Sequence, residues 1–245
     1  MSSLIINNLE VSYFDKKIKA ETTAISNVSM ELHSGQLYFL LGESGSGKTT
    51  LLKAIAGLLD SDGDLLLDGE DFSIIPFSKR KLSYVSQDLF LFPKLTIYDN
   101  IAFPLKINKY ERIEVDKKVK NLAYDFGIYH CLSRLPKHLS LGQAQRAILA
   151  KSLAKDPNIL LLDEFTSHLD PQNAKGILEH VKNYTIEHNC ITLIVSHQIR
   201  EALEFGDYIY ILDDGTISAF GTIEQIINSK NRKIIELLDR PYGKD

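Results

Sequence analysis

The run Gly42-Glu43-Ser44-Gly45-Ser46-Gly47-Lys48-Thr49 constrains the fold more than any other stretch of this chain. It follows the apolar segment Leu37-Tyr38-Phe39-Leu40-Leu41 and precedes Leu51-Leu52-Lys53-Ala54-Ile55-Ala56. The context is therefore strand, loop, helix, which the phosphate-binding pattern G-x-x-x-x-G-K-[ST] requires. Glycines let the backbone curl until successive N–H groups point into one concavity that suits phosphate oxygens. The following helix turns its positive end toward the same anion. In this arrangement Lys48 reaches the β- and γ-phosphates and the Thr49 hydroxyl ligates Mg²⁺, with Thr50 beside it in the first helical turn. A Gly/Ser-rich surface turn followed by a chance lysine would need neither flanking element. The chain is expected to bind a nucleotide.

Composition narrows the setting. At 245 residues, with 44% hydrophobic and 24% charged residues, the chain suits one large α/β domain or a domain with an inserted lobe. A net charge of −4 argues against a broad nucleic-acid-binding surface. Cys131 and Cys190 lie far apart without metal-ligand spacing, as expected of two core thiols in a reducing compartment. Met1 to Asn7 lacks the basic start and long apolar run of a signal peptide. No apolar stretch has the length of a membrane span, so a membrane role is expected to run through a partner.

Along the chain, short strands are expected at Leu4 to Leu9, Glu10 to Phe14 and Ala24 to Leu32, with a hairpin loop from Asp15 to Thr23. Asp62-Gly63-Asp64 reads as a turn before the strand Leu65-Leu66-Leu67, and Lys81 to Ser86 as a further strand ending at Gln87. From Thr96 to about Ala154 the pattern turns helical, with a hydroxyl and an acid at capping spacing in Thr96-Ile97-Tyr98-Asp99. Glu111 to Tyr124 carries apolar residues at helical spacing and stops before Gly127. Strand–helix alternation resumes with Ile159 to Leu162, Ala174 to Glu187, Ile191 to Val195 and Gln198 to Phe205. Tyr208 to Leu212 and Thr216 to Ala219 flank the hairpin turn Asp213-Asp214-Gly215, and the tail from Thr222 to Leu238 reads as helix. These elements predict an α/β nucleotide-binding core interrupted by a helical lobe.

Ile159-Leu160-Leu161-Leu162-Asp163-Glu164 is a doubly buried strand ending in two acids, which can stand beside a phosphate site. Asp163 would hold Mg²⁺ and Glu164 would polarise the water attacking the γ-phosphate. Upstream, Leu139-Ser140-Leu141-Gly142-Gln143 opens a helix. With this segment the chain resembles the ATP-binding-cassette family, whose signature is usually written LSGGQ, and the motifs appear in order over nearly the whole chain.

The resemblance implies a single cassette over residues 1–245: a P-loop NTPase core with an N-terminal antiparallel β subdomain and an inserted helical subdomain at about 88–155. It further implies that each ATP is sandwiched between two head-to-tail cassettes, where Ser140, Gly142 and Gln143 meet the γ-phosphate held by the opposite phosphate loop. Gln87 matches the glutamine loop that touches Mg²⁺ and the attacking water. His197 matches the switch histidine, and Ser167-His168-Leu169-Asp170 the interface segment written SALD. Tyr13 stands where the family stacks an aromatic ring on adenine, although a core strand aromatic explains it nearly as well. Three departures stand out: Leu141 for the first Gly of the signature, Phe165 for the Pro after the acid pair, and His168 for Ala. None removes a catalytic group, so a hydrolytically competent ATPase is expected.

Leu91 to Leu105 resembles the segment after the glutamine loop in bacterial solute-importer ATPases, the groove for a permease coupling helix. The resemblance therefore implies an importer subunit on the cytoplasmic side of the membrane. Its partners would be a separate permease, a second identical or homologous cassette and a solute-binding protein. Asp163 to Pro171 is most similar to polar-amino-acid importers, whereas Phe103-Pro104-Leu105 is similar to sugar, polyamine and metal-ion importers. A chain stopping soon after the core is expected to lack the regulatory domain of sugar-importer ATPases. A soluble assembly ATPase, as in iron–sulfur cluster biogenesis, fits the length but not the Leu91 to Leu105 resemblance. DNA-repair and translation cassettes carry coiled-coil insertions or tandem cassettes, and this chain has neither.

Overall fold

The computed structural model describes residues 2–15, 20–76, 79–87, 90–229 and 234–236. Two sheets organise it. Strands β1 (Ser3–Asp15), β2 (Ala20–His33), β4 (Asp62–Leu67) and β5 (Glu70–Asp71) form an antiparallel sheet in the order β2-β1-β4-β5. Strands β3 (Leu37–Leu41), β6 (Leu82–Val85), β7 (Ile159–Asp163), β8 (Ile191–Val195), β9 (Tyr208–Asp213) and β10 (Thr216–Thr222) form the second sheet in the order β10-β9-β3-β8-β7-β6. It is parallel except for the β9–β10 hairpin.

The central strands are buried on both faces, and their period of two feeds two separate cores. On β3, Leu37, Phe39 and Leu41 join one apolar cluster, while Tyr38 and Leu40 join the other. β7 divides the same way, Leu160 and Leu162 against Ile159 and Leu161. The second cluster holds Leu51, Leu52 and Ile55 of α1 (Lys48–Ala56) together with Leu4, Ile6 and Leu9 of β1, so the phosphate-loop helix is clamped between the two sheets. The first cluster takes in α5 (Pro171–Glu187), α6 (Ile199–Phe205) and the three helices that lie in the chain between β6 and β7. Those are α2 (Ile97–Ile107), α3 (Arg112–Asp125) and α4 (Leu141–Leu153).

Local signals set most helix ends. Thr96 caps α2 by accepting a hydrogen bond from the Asp99 amide at 3.1 Å, and Gly127 follows α3 at φ +65°. Asp170 caps α5, whose first residue is Pro171, three residues ahead of the expected start at Ala174.

The antiparallel sheet departs from expectation. Leu4 to Leu9 and Glu10 to Phe14 are one strand, because a bulge around Asn8 (φ +49°) absorbs the change of frame between Ile6 and Leu9. Asp62-Gly63-Asp64 belongs to β4 rather than to a turn. A Cβ at Gly63 would lie 2.6 Å from the carbonyl oxygens of both Asn7 and Asn8, so the glycine seats β4 against that bulge. Both strands of the first hairpin run into the expected loop, leaving residues 16–19 outside the described residues. At the C-terminal side, α7 (Ile223–Ile227) ends at Asn228; much of the remaining expected helix lies outside the described residues. Among the described residues no helix is long and apolar enough to cross a membrane.

Candidate functional site

The strand register brings three loops to one edge of the parallel sheet. Leu40 on β3 lies opposite Val195 on β8, and Val195 lies opposite Asp163 on β7. The carboxyl ends of β3, β7 and β8 therefore deliver Gly42 to Thr49, Asp163-Glu164 and Ser196-His197 side by side, where open α/β sheets bind their ligands.

In the phosphate loop, Gly45 and Gly47 adopt φ +84° and +101°, the left-handed conformations that glycine supplies without a Cβ penalty. Gly42 is required for a different reason: a Cβ there would sit 2.2 Å from the Leu212 carbonyl oxygen. Glu43 and Ser44 form the exposed outer side of the loop. Gly47 caps α1 without a side-chain hydrogen bond, so the amides of the first helical turn face the loop. The Ser46 hydroxyl oxygen is buried and has no hydrogen-bond partner among the described residues. Lys48 is buried, and its Nζ donates to the carbonyls of Gly42 at 3.0 Å and Glu43 at 2.7 Å. Burial pulls its amine below the ordinary lysine range, opposed by the carboxylates of Glu164, Asp163 and Glu43.

Thr49 Oγ1 donates to Asp163 Oδ1 at 3.0 Å, and Tyr84 OH donates to Asp163 Oδ2 at 3.0 Å. Burial raises the Asp163 carboxyl above the usual range while these two bonds lower it. Hydroxyl and carboxylate oxygens so close together suit a hard divalent cation such as Mg²⁺, and the orphaned Ser46 hydroxyl beside open amides suits a phosphate. Glu164 is held at φ +45°, a strained setting for a residue with a side chain. Its amide donates to the Val195 carbonyl at 3.0 Å, and its carbonyl accepts from Ser167 Oγ at 2.8 Å. This turn leaves Glu164 Oε2 4.0 Å from His197 Nδ1.

Gln87 is exposed two residues beyond β6, whose Val85 lies opposite Leu162, so the chain leaves the sheet next to Asp163. Tyr13 is 41% exposed, which excludes a core role, and its hydroxyl lies 3.4 Å from Thr50 Oγ1 over the first turn of α1. Ser140, Gly142 and Gln143 are not drawn into this cluster. They form the N-terminus of α4, where Ser140 Oγ accepts from the Gln143 amide at 3.3 Å and Gln143 Oε1 accepts from the Ser140 amide at 3.1 Å. The reciprocal capping box leaves Ser140 and Leu141 at the surface. Phe165 is buried in the main core, and His168 is exposed.

Three contacts were not anticipated from the sequence: Tyr84 on Asp163, Gln145 Nε2 on the Phe165 carbonyl at 2.8 Å, and Glu201 beneath the His197 turn. Only the placement of Tyr84 on the strand leading to Gln87 could have signalled the first. The other two join residues with no local pattern between them.

A family model described as "ABC transporter" matches residues 25–167. The chain belongs to that family. It is 39% identical over 236 residues to the molybdate/tungstate import ATP-binding protein of Methanocaldococcus jannaschii, covering 96% of this chain and 76% of that one. The protein of the same description from Thermococcus kodakarensis is 37% identical over 205 residues, covering 83% of this chain and 62% of the relative. The chain spans about three fifths of the length of several such relatives. Its fold matches a solved dimeric ATP-binding cassette in a post-hydrolysis state bound to ADP and Pi, with TM-score 0.81 and 28% identity over 90% of this chain and 98% of that one. The fold is accordingly that of an ATP-binding cassette.

Proposed function

We propose that this chain is the ATP-hydrolysing subunit of an importer, working through a separate membrane permease. The observation that carries the reading is the convergence of the phosphate loop, the Thr49–Asp163 pair and the Glu164–His197 pair at adjacent strand ends. Residues 1–245 act as one cassette, with about 88–155 as its helical insert. The loop amides, Ser46 and Lys48 bind the phosphates, and Tyr13 stacks on the adenine. Thr49, Asp163 and Gln87 would hold Mg²⁺, which when bound neutralises phosphate charge and orients the γ-phosphate. Glu164 orients and polarises the attacking water, while Lys48 and His197 stabilise the charge that develops on the γ-phosphate. Lys48 must leave the Gly42 and Glu43 carbonyls to do so, and the long lysine side chain allows it.

Ser140, Gly142 and Gln143 serve the nucleotide of a second cassette, identical or homologous. The exposed Ser140 and the half-buried Gly142 and Gln143 stand at the N-terminal end of α4 and make no hydrogen bond to this chain's own phosphate loop among the described residues, which supports that division of labour. A groove of about 250 Å³ between β6 and the helices, lined by Tyr84, Phe90, Phe103, Pro104 and Ile148, receives the permease. Phe90 at its rim is 65% exposed, while Ile97, Ile101 and Leu105 of the same region pack the interior. The protein works peripherally on the cytoplasmic face of the membrane, with a solute-binding protein on the other side.

The solute is small and polar. The molybdate or tungstate named for its relatives is the first candidate, and the amino acid suggested by the Asp163 to Pro171 segment the second. The test is purification from native cells in mild detergent, followed by identification of partners and assay of ATP hydrolysis. Stoichiometric recovery of a polytopic membrane protein with ATP turnover supports the reading. Recovery of soluble partners alone, from preparations that retain membrane proteins, overturns it in favour of an assembly ATPase.

A further inference from the structure

Glu201 lies on α6, four residues beyond His197, and is 7% exposed. Its Oε2 accepts hydrogen bonds from Thr166 Oγ1 at 2.8 Å and from Ser196 Oγ at 3.1 Å, and both hydroxyls belong to buried residues. Thr166 stands two residues after Glu164, and Ser196 immediately precedes His197. A single carboxyl oxygen thus grips the two turns that present Glu164 and His197. The turns are themselves ordered around these hydroxyl residues: the Leu169 amide donates to the Thr166 carbonyl at 3.0 Å, and the Gln198 amide donates to Ser196 Oγ at 3.0 Å.

Glu201 Oε1 is also buried but has no hydrogen-bond partner among the described residues. Burying a carboxyl with one oxygen unsatisfied is unfavourable, and a leucine could fill similar space without that desolvation. The double hydroxyl contact is what a leucine could not supply.

We propose that Glu201 is a positioning residue for hydrolysis, fixing the separation of Glu164 and His197 by holding Thr166 and Ser196 on one oxygen. This rests on the reading that Glu164 and His197 act on the nucleotide. The tie needs a two-lone-pair acceptor and not a charge, so a glutamine in the same place preserves it.

The experiment compares E201Q, E201L and the double variant T166V/S196A with wild type. It reads kcat and KM for ATP, together with amide hydrogen exchange over residues 164–170 and 196–198. E201Q is expected within about threefold of wild type in kcat. E201L and T166V/S196A are expected to lose about tenfold or more in kcat with KM within about twofold, and to exchange faster in both segments together. In an H197A background the loss of kcat from T166V/S196A is expected to be smaller than in wild type, because one of the two turns it disturbs no longer carries a functional group. If E201L does not fold, T166V/S196A decides, since it removes only two hydroxyls. A folded T166V/S196A with wild-type kcat and unchanged exchange overturns the proposal, as does a loss confined to KM. If wild type itself hydrolyses no ATP even with its partners, the functional reading fails. The exchange data then decide the tie alone: faster exchange in both segments keeps it and unchanged exchange overturns it.

Discussion

Two glycines of the phosphate loop share a backbone conformation but not an environment, and alanine at each separates the two contributions. At Gly45, φ is +84° and a Cβ would meet nothing within 4 Å. G45A therefore carries only the conformational penalty of a left-handed L-residue, about 1–2 kcal/mol. At Gly47, φ is +101°, and a Cβ would lie 2.7 Å from both the Ala24 carbonyl oxygen and Ile25 Cδ1. The isoleucine tip can turn aside; the carbonyl belongs to β2 and cannot move without its strand. Overpacking of this kind adds about 1–3 kcal/mol, so G47A is expected to lose about 2–5 kcal/mol in all. For a chain of this size each kcal/mol lowers Tm by about 2–4 °C. Thermal unfolding without nucleotide should place G47A several degrees below G45A. The loop of G47A must shift to relieve the contact, which displaces the amides at the start of α1. Saturating MgATP, which at about a thousandfold over Kd stabilises a binder by about 4 kcal/mol, should then raise the Tm of wild type and not that of G47A. Equal Tm values for the two variants, with a full ATP-induced rise in G47A, would refute this account of why glycine stands there.

Other residues give readings of their own. E164Q keeps the loop and removes the carboxylate proposed to orient water. ATP turnover should fall by about a hundredfold or more with nucleotide affinity retained, and the variant should sediment as a dimer in saturating ATP; a monomer under those conditions argues against the shared-nucleotide arrangement. Y13A removes the half-exposed ring above α1, and loss of a base–aromatic stack of about 1–3 kcal/mol should weaken ATP binding by about five- to 150-fold in titration calorimetry. T96A removes the α2 cap and should lower stability by about 1 kcal/mol in denaturant titrations at neutral pH. Hydrogen bonds from Lys106 and Thr96 hold the Asp99 carboxyl below the usual carboxylate range. The unfolded chain therefore takes up that proton first on acidification: the stabilisation is complete above the unfolded carboxylate value of about 3.9 and is lost as pH falls through the lower folded value. Denaturant midpoints measured downward from pH 7 should show less loss below about pH 4 in T96A than in wild type.

Much of the site could be read directly from the chain because its chemistry is local. The strand before Gly42, the helix after Lys48 and the acids after Ile159-Leu160-Leu161-Leu162 each announce themselves within a few residues. So do the Thr96 cap and the capping box at Ser140, where a hydroxyl meets an amide three residues away. Where the sequence misled, the missing partner was remote. Gly63 reads as a turn residue until the bulge at Asn8 is found against it, and a core role explains Tyr13 nearly as well as a ring over the nucleotide until β1 places it, part-exposed, over Thr50. Tyr84 and Asp163 are 79 residues apart, and Thr166 and Glu201 are 35 apart. No periodicity links such pairs.

Backbone geometry and short-range hydrogen bonding act between near neighbours, so most of the elements, their order and the residue types at the strand ends are legible in the chain. It is long-range packing that sets β3, β7 and β8 side by side in a register with Asp163 against Val195. That register places Glu164 4.0 Å from His197 and closes both turns over the buried carboxyl of Glu201, because parallel strands are paired through crossovers whose cores must fill together.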